Sequence, residues 1–341
     1  MLKEHSAIIS VANLSKTLGL HSLLKEVSFS VYSGEIFGII GHSGSGKTTL
    51  LRCLDFLEFP TTGSITIAGF QSSLAVKKMS RSNFAKKVAY ISQNYGLFSA
   101  KTVFQNIAYP LHVHNSHMLQ EEVHERVLET LNFLNLYHKK DVYPGNLSGG
   151  QKQKVAIARA IICEPQVLLC DEITSALDPK STEDIIEKFL KLNDERKVTL
   201  VLVSHEIDII KKICSRTLVM HQGVIEELGA TEQLFLTPQS PLTEGLFDRV
   251  SQDFSFLYKN RNYTELLRLG FPKELAAQGI VSEIIQTGIV SINILSGRID
   301  LFRNTPMGFL IVDLEGSLEN RRQAKIVLTE RGVLIKELNC R

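Results

Sequence analysis

The chain has 341 residues, a length that fits two domains better than one, and 44% of them are hydrophobic, which is enough for an ordinary buried core. The formal net charge of +2 gives no electrostatic argument for binding nucleic acid, which normally requires a strongly basic face. No apolar run approaches the roughly 18–20 residues of a spanning helix, and the N-terminus lacks the features of a signal peptide. We therefore expect a protein that is kept in the cytoplasm and acts at a membrane only through a partner.

Between about residue 6 and residue 235, short apolar runs alternate with longer helical patterns. Strands are predicted at residues 27–31, 36–40, 88–91, 167–170 and 199–203. Helices are predicted at residues 47–57, 119–134, 149–162 and 182–192. Strands separated by helices predict a mainly parallel sheet with buried strands, the α/β class. Residues 99–160 are mostly helical and are expected to form a helical subdomain inserted in that core.

A glycine-rich run follows the predicted strand at 36–40 and opens the predicted helix at 47–57. The candidate nucleotide ligands in it are Gly41, His42, Ser43, Gly44, Ser45, Gly46, Lys47, Thr48 and Thr49. The run fits the pattern GxxxxGK followed by Ser or Thr, in which glycines let backbone N–H groups surround phosphate oxygens at a helix N-terminus. Lys47 is expected to reach the β- and γ-phosphates, and the Thr48 hydroxyl to hold one Mg²⁺ position. The run therefore predicts a site for ATP and Mg²⁺.

Two carboxylates follow the apolar run at 167–170. Asp171 stands at the tip of the predicted strand, where it can hold Mg²⁺ directly or through a water. Glu172, one residue further on, points elsewhere and can polarise an attacking water as a general base. A strand followed by two acids is weak evidence alone, but it becomes strong evidence beside a phosphate loop in the same α/β core.

A second helix start with small residues lies at LSGGQ, residues 147–151, which we name the signature loop. Its candidate ligands are Ser148, Gly149, Gly150 and Gln151. A helix N-terminus of this kind is in principle a second phosphate-binding surface. One nucleotide does not need two such surfaces so far apart in the sequence. We therefore expect a homodimer in which the signature loop contacts the γ-phosphate held by the other subunit.

The composition changes after residue 236, where a turn-rich run precedes a polar stretch dotted with aromatic residues. The predicted organisation is an ATPase domain at 1–238, a linker at 239–262 and a small domain at 263–341. In the small domain, strands are predicted near 267–271, 290–294, 310–314 and 333–337, and helices near 277–285 and 324–328. The order β-α-β-β-α-β predicts a ferredoxin-like α+β domain, with Ser296 and Gly297 forming either a bulge or a turn.

These motifs together resemble the nucleotide-binding subunit of ABC transporters, a P-loop NTPase family. The resemblance rests on the phosphate loop, LSGGQ, LLCDE at 168–172, SALD at 175–178 and LVSHE at 202–206. It implies that Gln93, in YISQNYGLF, touches Mg²⁺ and senses a transmembrane partner. It also implies that His205 contacts the γ-phosphate and the attacking water, and that Asp178 belongs to a loop linking the two sites of a dimer.

One position departs from that family. An aromatic residue usually stacks on the adenine near the stretch SKTLGLHS, where this chain has Leu18 or His21. We therefore predict no particular base-stacking residue.

Longer stretches are similar to the ATP-binding subunit of bacterial methionine importers, among them LLRCLDFLEFPTTGSITIAG and SQNYGLFSAKTVFQNIAYPL. Those importers carry a C-terminal ferredoxin-like, ACT-like domain that binds the transported amino acid. The resemblance implies a homodimer of ATPase subunits at the cytoplasmic face of the cell membrane, whose closure and opening drive uptake of D- or L-methionine. The implied partners are two transmembrane permease subunits and, indirectly, a substrate-binding protein, with methionine also bound at 263–341.

Other interpretations remain open. An importer ATPase for another small solute shares the same motifs, although sugar-type subunits tend to have an all-β C-terminal domain, against which the helical faces at 277–285 and 324–328 argue. A non-transport ABC ATPase of DNA repair or chromosome maintenance usually carries a coiled coil or zinc insert before LSGGQ, where this chain has neither heptads nor CxxC. A translation-associated ABC protein needs two ATPase halves, and this chain has one.

Overall fold

The computed structural model describes residues 6–72, 81–114, 117–173, 177–247, 263–303 and 305–338. The chain divides into two compact units, Met1–Ile210 with Cys214–Ile225 and Lys211–Ile213 with Glu226–Arg341. Residues 226–238, which the predicted boundary assigns to the ATPase domain, belong to the second unit by their contacts. The functional boundaries at 238 and 262 stay a prediction, and most of the predicted linker, from residue 248 on, lies outside the described residues.

The strands of the larger part of the chain include all five that the sequence predicts. In chain order they are β1 (Ala7–Leu18), β2 (His21–Tyr32), β3 (Ile36–Ile40), β4 (Thr62–Ile67), β5 (Phe70–Ser72), β6 (Val88–Ile91), β7 (Val167–Asp171), β8 (Thr199–Val203), β9 (Arg216–His221) and β10 (Val224–Ala230).

The predicted helices are also confirmed, with ends that differ by a few residues. The helices up to residue 247 are α1 (Lys47–Leu54), α2 (Arg81–Lys87), α3 (Val103–His114), α4 (Gln120–Phe133), α5 (Gly149–Ile161), α6 (Pro179–Arg196), α7 (Ile207–Ile213), α8 (Thr231–Leu236) and α9 (Pro241–Phe247). Across the described ranges, no helix is both long and apolar enough to cross a membrane.

The central sheet has the strand order β10-β9-β3-β8-β7-β6. Strands β3, β7 and β8 are buried along their whole length because most of their residues are apolar. Their pairings with one another and with β6 and β9 are parallel. Such strands need cover on both faces, which the crossover helices provide. The predicted α/β core is confirmed, and α3, α4 and α5 make the stretch 99–160 mainly helical, as predicted.

A second sheet of the first unit was not predicted as a sheet. It is four-stranded, with the order β2-β1-β4-β5 and antiparallel pairings throughout. Within this sheet, only the alternating apolar and polar residues at 27–31, part of β2, are predicted as a strand. This sheet matters for the site because the start of β2 runs beside the phosphate loop.

The C-terminal domain has the predicted β-α-β-β-α-β order. Its elements are β11 (Leu266–Phe271), α10 (Ile280–Gln286), β12 (Ser291–Phe302), β13 (Thr305–Glu315), α11 (Leu318–Glu330) and β14 (Leu334–Glu337). The sheet order β12-β13-β11-β14 is fully antiparallel, which confirms the ferredoxin-like α+β fold. The register of β12 shifts between Ile294 and Ser296 while the strand continues, so the Ser296-Gly297 step is a bulge rather than a turn.

Candidate functional site

The phosphate loop, residues 41–48, connects the buried strand β3 to helix α1. Gly41 and Gly46 have φ angles of 151° and 101°, in the region that favours glycine. A Cβ atom at Gly46 would lie 2.8 Å from the carbonyl oxygen of Leu23, and one at Gly41 would overlap the carbonyl oxygen of Met220. The loop therefore needs glycine at both positions to follow this path.

Two polar side chains of the loop, Ser45 and Lys47, are buried. The Lys47 Nζ donates hydrogen bonds to the carbonyl oxygens of Gly41 (2.8 Å) and His42 (2.9 Å). Burial lowers the pKa of Lys47, while the charges of the two predicted acids act in the opposite direction. The Ser45 hydroxyl has no hydrogen-bond partner within the described ranges. A buried cation and an unsatisfied buried hydroxyl beside a helix N-terminus fit the phosphates of ATP.

Asp171, the last residue of β7, lies against the start of α1. Its Oδ1 accepts a hydrogen bond from the Thr48 hydroxyl at 3.2 Å, and its Oδ2 accepts one from the Tyr90 hydroxyl at 3.0 Å. Burial raises the pKa of Asp171, and these two hydrogen bonds oppose that rise. Burial also raises the pKa of Tyr90, so its hydroxyl remains the donor. The oxygens of Thr48 and Asp171 are ligands of the type that Mg²⁺ prefers.

Three predicted residues meet where parallel strands end. Asp171 pairs with Val203 in the register of β7 and β8, so Glu172 and His205 leave the sheet at the same edge. The Glu172 Oε2 accepts a hydrogen bond from the Gln93 amide at 3.2 Å, and its Oε1 lies 3.7 Å from His205 Nδ1. Glu172 has a φ of 48°, and its backbone N–H donates to the Val203 carbonyl at 3.0 Å. The carboxylate is thus held between two side chains that can direct it toward a water.

Gln93 and Glu172 border a cavity of about 640 Å³, whereas Gly41, His42, Asp171 and His205 are not among its lining residues. The predicted residues that line it are Ser43, Gly44, Ser45, Gly46, Lys47, Thr48, Thr49, Gln93 and Glu172. It is also lined by residues that the sequence did not predict, namely Ser22, Leu23, Lys25, Gln222 and Gly223. Neither Leu18 nor His21 is among the lining residues, and Leu18 is exposed. The unpredicted residues belong to no motif: Ser22, Leu23 and Lys25 lie at the start of β2, and Gln222 and Gly223 form the turn between β9 and β10.

The signature loop lies outside this cavity. Ser148 and Gln151 form a capping box at the start of α5, because the Ser148 hydroxyl accepts from the Gln151 N–H (3.3 Å) and Gln151 Oε1 accepts from the Ser148 N–H (3.1 Å). Ser148 and Gly149 are exposed, and a Cβ atom at Gly150 would lie 3.2 Å from the Ser181 hydroxyl. The fold of one chain therefore does not bring the signature loop to its own phosphate loop.

The loop motif at 175–178 is only partly described, since residues 174–176 lie outside the described residues. Its last residue, Asp178, is the N-cap of α6. The Asp178 carboxylate accepts hydrogen bonds from the Ser181 N–H (3.0 Å) and the Ser181 hydroxyl (2.6 Å). Ser181 thus bonds Asp178 at the start of α6 and lies next to Gly150 at the start of α5.

A second cavity of about 430 Å³ lies beside the segment that follows Gln93, and we name it the docking groove. The exposed side chains of Phe98 and Tyr109 line it, with their ring centroids 4.7 Å apart. Arg159, from α5, donates hydrogen bonds to the carbonyl oxygens of Tyr95 (2.8 Å) and Gly96 (2.7 Å). The helix that begins at the signature loop is therefore bonded to the segment that contains Gln93.

The C-terminal domain contains a smaller cavity of about 160 Å³. It lies between the end of β11, the start of α10 and the β12–β13 hairpin. Phe271, Leu275, Ile299 and Leu310 provide apolar walls, and Ser282 provides a hydroxyl. A cavity of this size and character suits a small, mainly apolar side chain.

Comparison with known proteins agrees with both domains. Residues 24–175 match the ABC transporter family, and residues 265–337 match the NIL domain. The chain is 67% identical over 339 residues to the methionine import ATP-binding protein MetN of Chlamydia pneumoniae, covering 99% of each chain. It is 60% identical over 337 residues to that of Chlamydia abortus, covering 99% of this chain and 98% of the other.

Among solved structures, the chain is similar to a dimeric ATP-binding cassette in a post-hydrolysis state, bound to ADP and Pi. The TM-score is 0.60 at 31% identity, with 65% of this chain and 98% of that chain covered. The fold and the composition of the site thus define an ABC transporter ATPase, a class that binds ATP. Within it, the chain belongs to the family of methionine import ATP-binding proteins.

Proposed function

We propose that this chain is the ATP-hydrolysing subunit of a methionine importer and that its site works as follows. The observation that carries the proposal is the cluster of Gln93, Glu172 and His205 at the edge of the cavity that the phosphate loop borders. Backbone N–H groups of the loop and the Lys47 ammonium hold the phosphates. Glu172 accepts a proton from a water while Gln93 and His205 keep its carboxylate in place.

Thr48, Asp171 and the amide oxygen of Gln93 would hold Mg²⁺. The ion would supply positive charge that offsets the charge of the phosphates. The fit rests on the donor set, because all three groups offer the hard oxygen ligands that Mg²⁺ takes. The hydrogen bond between Thr48 and Asp171 places two of these oxygens 3.2 Å apart.

The complete site forms between two copies of the chain. Ser148, Gly149, Gly150 and Gln151 are exposed or half-buried and lie outside the cavity of their own chain. In the proposed homodimer, these residues contact the γ-phosphate held by the partner's phosphate loop. The similar solved cassette is a dimer, which supports this arrangement.

The docking groove is the proposed contact for the two permease subunits, at the cytoplasmic face of the membrane. Its exposed aromatic side chains are the kind of residue enriched in protein interfaces. The contacts of Arg159 with Tyr95 and Gly96 connect this surface to the signature loop through one helix. A change at the nucleotide site can therefore reach the permease contact through α5 and Gln93.

Methionine is the proposed ligand of the cavity in the C-terminal domain. The apolar walls formed by Phe271, Leu275 and Leu310 suit a thioether chain, and Ser282 can bond a polar end of the ligand. The printed names of the relatives support methionine as the transported solute. Another small solute would use the same ATPase, so the solute needs a direct test.

The test is uptake of labelled methionine by cells that lack their own importer and carry this chain with its permease and substrate-binding subunits. We expect uptake that is lost with K47A. Uptake of another solute, with no uptake of methionine, would assign the ATPase to that solute. Active ATP hydrolysis without uptake of any solute would contradict the role in import.

A further inference from the structure

Both oxygens of the Asp171 carboxylate are occupied by hydroxyl donors from different elements. The Thr48 hydroxyl, at the start of α1, donates to Oδ1 at 3.2 Å, and the Tyr90 hydroxyl, on β6, donates to Oδ2 at 3.0 Å. Asp171 is 4% exposed, so little water is available to replace either donor. The carboxylate is therefore oriented by these two contacts.

The sheet explains why Tyr90 can reach this carboxylate. Strands β6 and β7 are parallel neighbours, and Tyr90 pairs with Leu169, two residues before Asp171. Residues two apart on a strand share a face, so the long Tyr90 side chain lies on the same side of the sheet as the Asp171 carboxylate. A phenylalanine here would fill the same space without the hydrogen bond.

The two donors have different roles. Thr48 belongs to the phosphate loop and is itself a proposed Mg²⁺ ligand. Tyr90 does not line the nucleotide cavity, and among the predicted site residues its hydroxyl bonds Asp171; the same hydroxyl also bonds Arg52, which lies outside the predicted site. When the Tyr90 hydroxyl is bonded to Oδ2 of Asp171, the Oδ1 atom lies beside the Thr48 hydroxyl. Without that hydroxyl, the carboxylate can rotate and present either oxygen or neither.

We propose that Tyr90 is a positioning residue for the divalent cation, because its hydrogen bond to Oδ2 fixes Asp171 with Oδ1 beside Thr48. The inference rests on the proposed role of Asp171 as a cation ligand. Groups that orient a metal ligand in this way typically change metal affinity by about 10- to 100-fold when they are removed. Y90F is therefore expected to weaken cation binding by about 10-fold while nucleotide binding without metal stays unchanged.

The test titrates Mn²⁺, followed by electron paramagnetic resonance, into the full-length chain loaded with one equivalent of ADP. Wild type, Y90F, D171N and Y137F are compared, and ADP affinity is also measured in the presence of a chelator. Y137F is the matched control, because it removes the same hydroxyl from an exposed tyrosine of the helical subdomain. ADP binding in the chelator shows that each variant has folded.

The expected order of Mn²⁺ affinity is wild type and Y137F equal, Y90F weaker by about 10-fold, and D171N weakest. If D171N loses affinity and Y90F remains within about twofold of wild type, the role of Tyr90 is overturned while the cation site stands. If D171N also binds Mn²⁺ like wild type, the assignment of Asp171 itself fails. A weaker Y90F affinity accompanied by an equal loss of ADP binding without metal would show general damage to the site and would also overturn the inference.

Discussion

Glu172 differs from an ordinary surface carboxylate in its backbone and in its contacts. Its φ of 48° is uncommon for a residue with a side chain, and its two oxygens face Gln93 and His205. Such a conformation persists only where the surrounding structure holds it, here through the hydrogen bond from its N–H to Val203. The two side-chain contacts support the proposed role of Glu172 as the base.

We expect E172Q to bind ATP about as tightly as wild type and to release phosphate at least about 100-fold more slowly. The amide keeps the size of the side chain but cannot accept a proton from water. Phosphate release measures turnover, and gel filtration with ATP measures whether a dimer persists. E187Q makes the same change at an exposed position of α6 and is the control. Turnover of E172Q close to that of E187Q would remove Glu172 as the base.

Asp55, in the docking groove, gives a prediction about pH. Burial raises its pKa to about 6, although the Arg81 guanidinium lies 2.8 Å from its Oδ2 and acts in the opposite direction. Because the pKa rises on folding from 3.8, the fold favours the neutral acid. The stability that this acid contributes is present below about pH 4 and is lost as the pH rises through about 6.

We therefore expect wild type to lose up to about 3 kcal/mol of unfolding free energy relative to D55N between pH 4 and pH 7. The asparagine keeps the shape of the side chain and does not ionise. Urea unfolding of both proteins at several pH values measures the difference. A difference in unfolding free energy between wild type and D55N that stays constant across this pH range would mean that folding does not raise the pKa of Asp55.

At the residue scale, the sequence predicts those residues that a spaced pattern marks. The phosphate loop and the pair Asp171–Glu172 stand out because each follows a buried strand. Gln93 and His205 have no pattern of their own, and only the order of motifs in a known family points to them. Tyr90 lies near the site because β6 pairs with β7, and Leu23 lies near it because Gly46 comes close to the Leu23 carbonyl. A single sequence carries no signal for either contact.

At the scale of elements, helix α5 joins two functions. It begins at the signature loop with a capping box and carries Arg159, whose guanidinium holds the carbonyl oxygens of Tyr95 and Gly96. A rigid helix transmits displacement of one end to the other. The element that is proposed to contact the partner's nucleotide is thus the same element that fixes the segment after Gln93.

This arrangement predicts complementation between two inactive variants. K47A lacks the buried cation of the phosphate loop, and S148R places a bulky charge on the exposed signature loop. A mixed dimer then contains one intact site, formed by Lys47 of the S148R chain and Ser148 of the K47A chain. We expect a mixture to recover up to about a quarter of wild-type ATP hydrolysis, since half of the dimers are mixed.

Each variant measured alone is the control for this experiment, together with its melting temperature. The S148R change also removes an N-cap, at a cost of about 1 kcal/mol, which the melting temperature reports separately. Activity of the mixture that equals the sum of the two separate activities would argue against a site shared between chains.

The sequence predicts the strands of the central sheet better than those of the antiparallel sheet. Strands β3, β7 and β8 are predicted because a short, mostly apolar run is typical of a strand that is covered on both faces. Strand β1 lacks such a run because only some of its residues are buried, and several register shifts interrupt its pairing with β2. Its apolar residues therefore follow no simple period, and the antiparallel sheet could not be predicted.

At the scale of the whole molecule, the contacts that place residues 226–238 in the second unit explain why a domain boundary at 238 is hard to predict from the sequence. Arg268 on β11 is fully buried and donates to the carbonyl oxygens of Leu236 (2.9 Å) and Phe235 (2.8 Å) and to Glu244 (2.9 Å). These contacts hold α8 and α9 on the C-terminal sheet. In the sequence, Arg268 is a single arginine in a predicted strand. Nothing there indicates that it bonds to the two preceding helices and so holds them in the second unit.

The C-terminal cavity gives the last prediction, that full-length protein binds methionine there independently of ATP. Ala276 lines the cavity and Ala277 does not, so A276F fills the space of about 160 Å³ while A277F adds the same ring at an exposed neighbour. We expect calorimetry to show methionine binding for wild type and A277F and at least about 10-fold weaker binding for A276F, because a filled cavity leaves no room for the ligand. ATP affinity should be equal in all three, since the phosphate loop belongs to the other unit. Equal methionine binding by A276F and A277F would place the ligand elsewhere, and binding of a different amino acid in place of methionine would identify another solute for the same cavity.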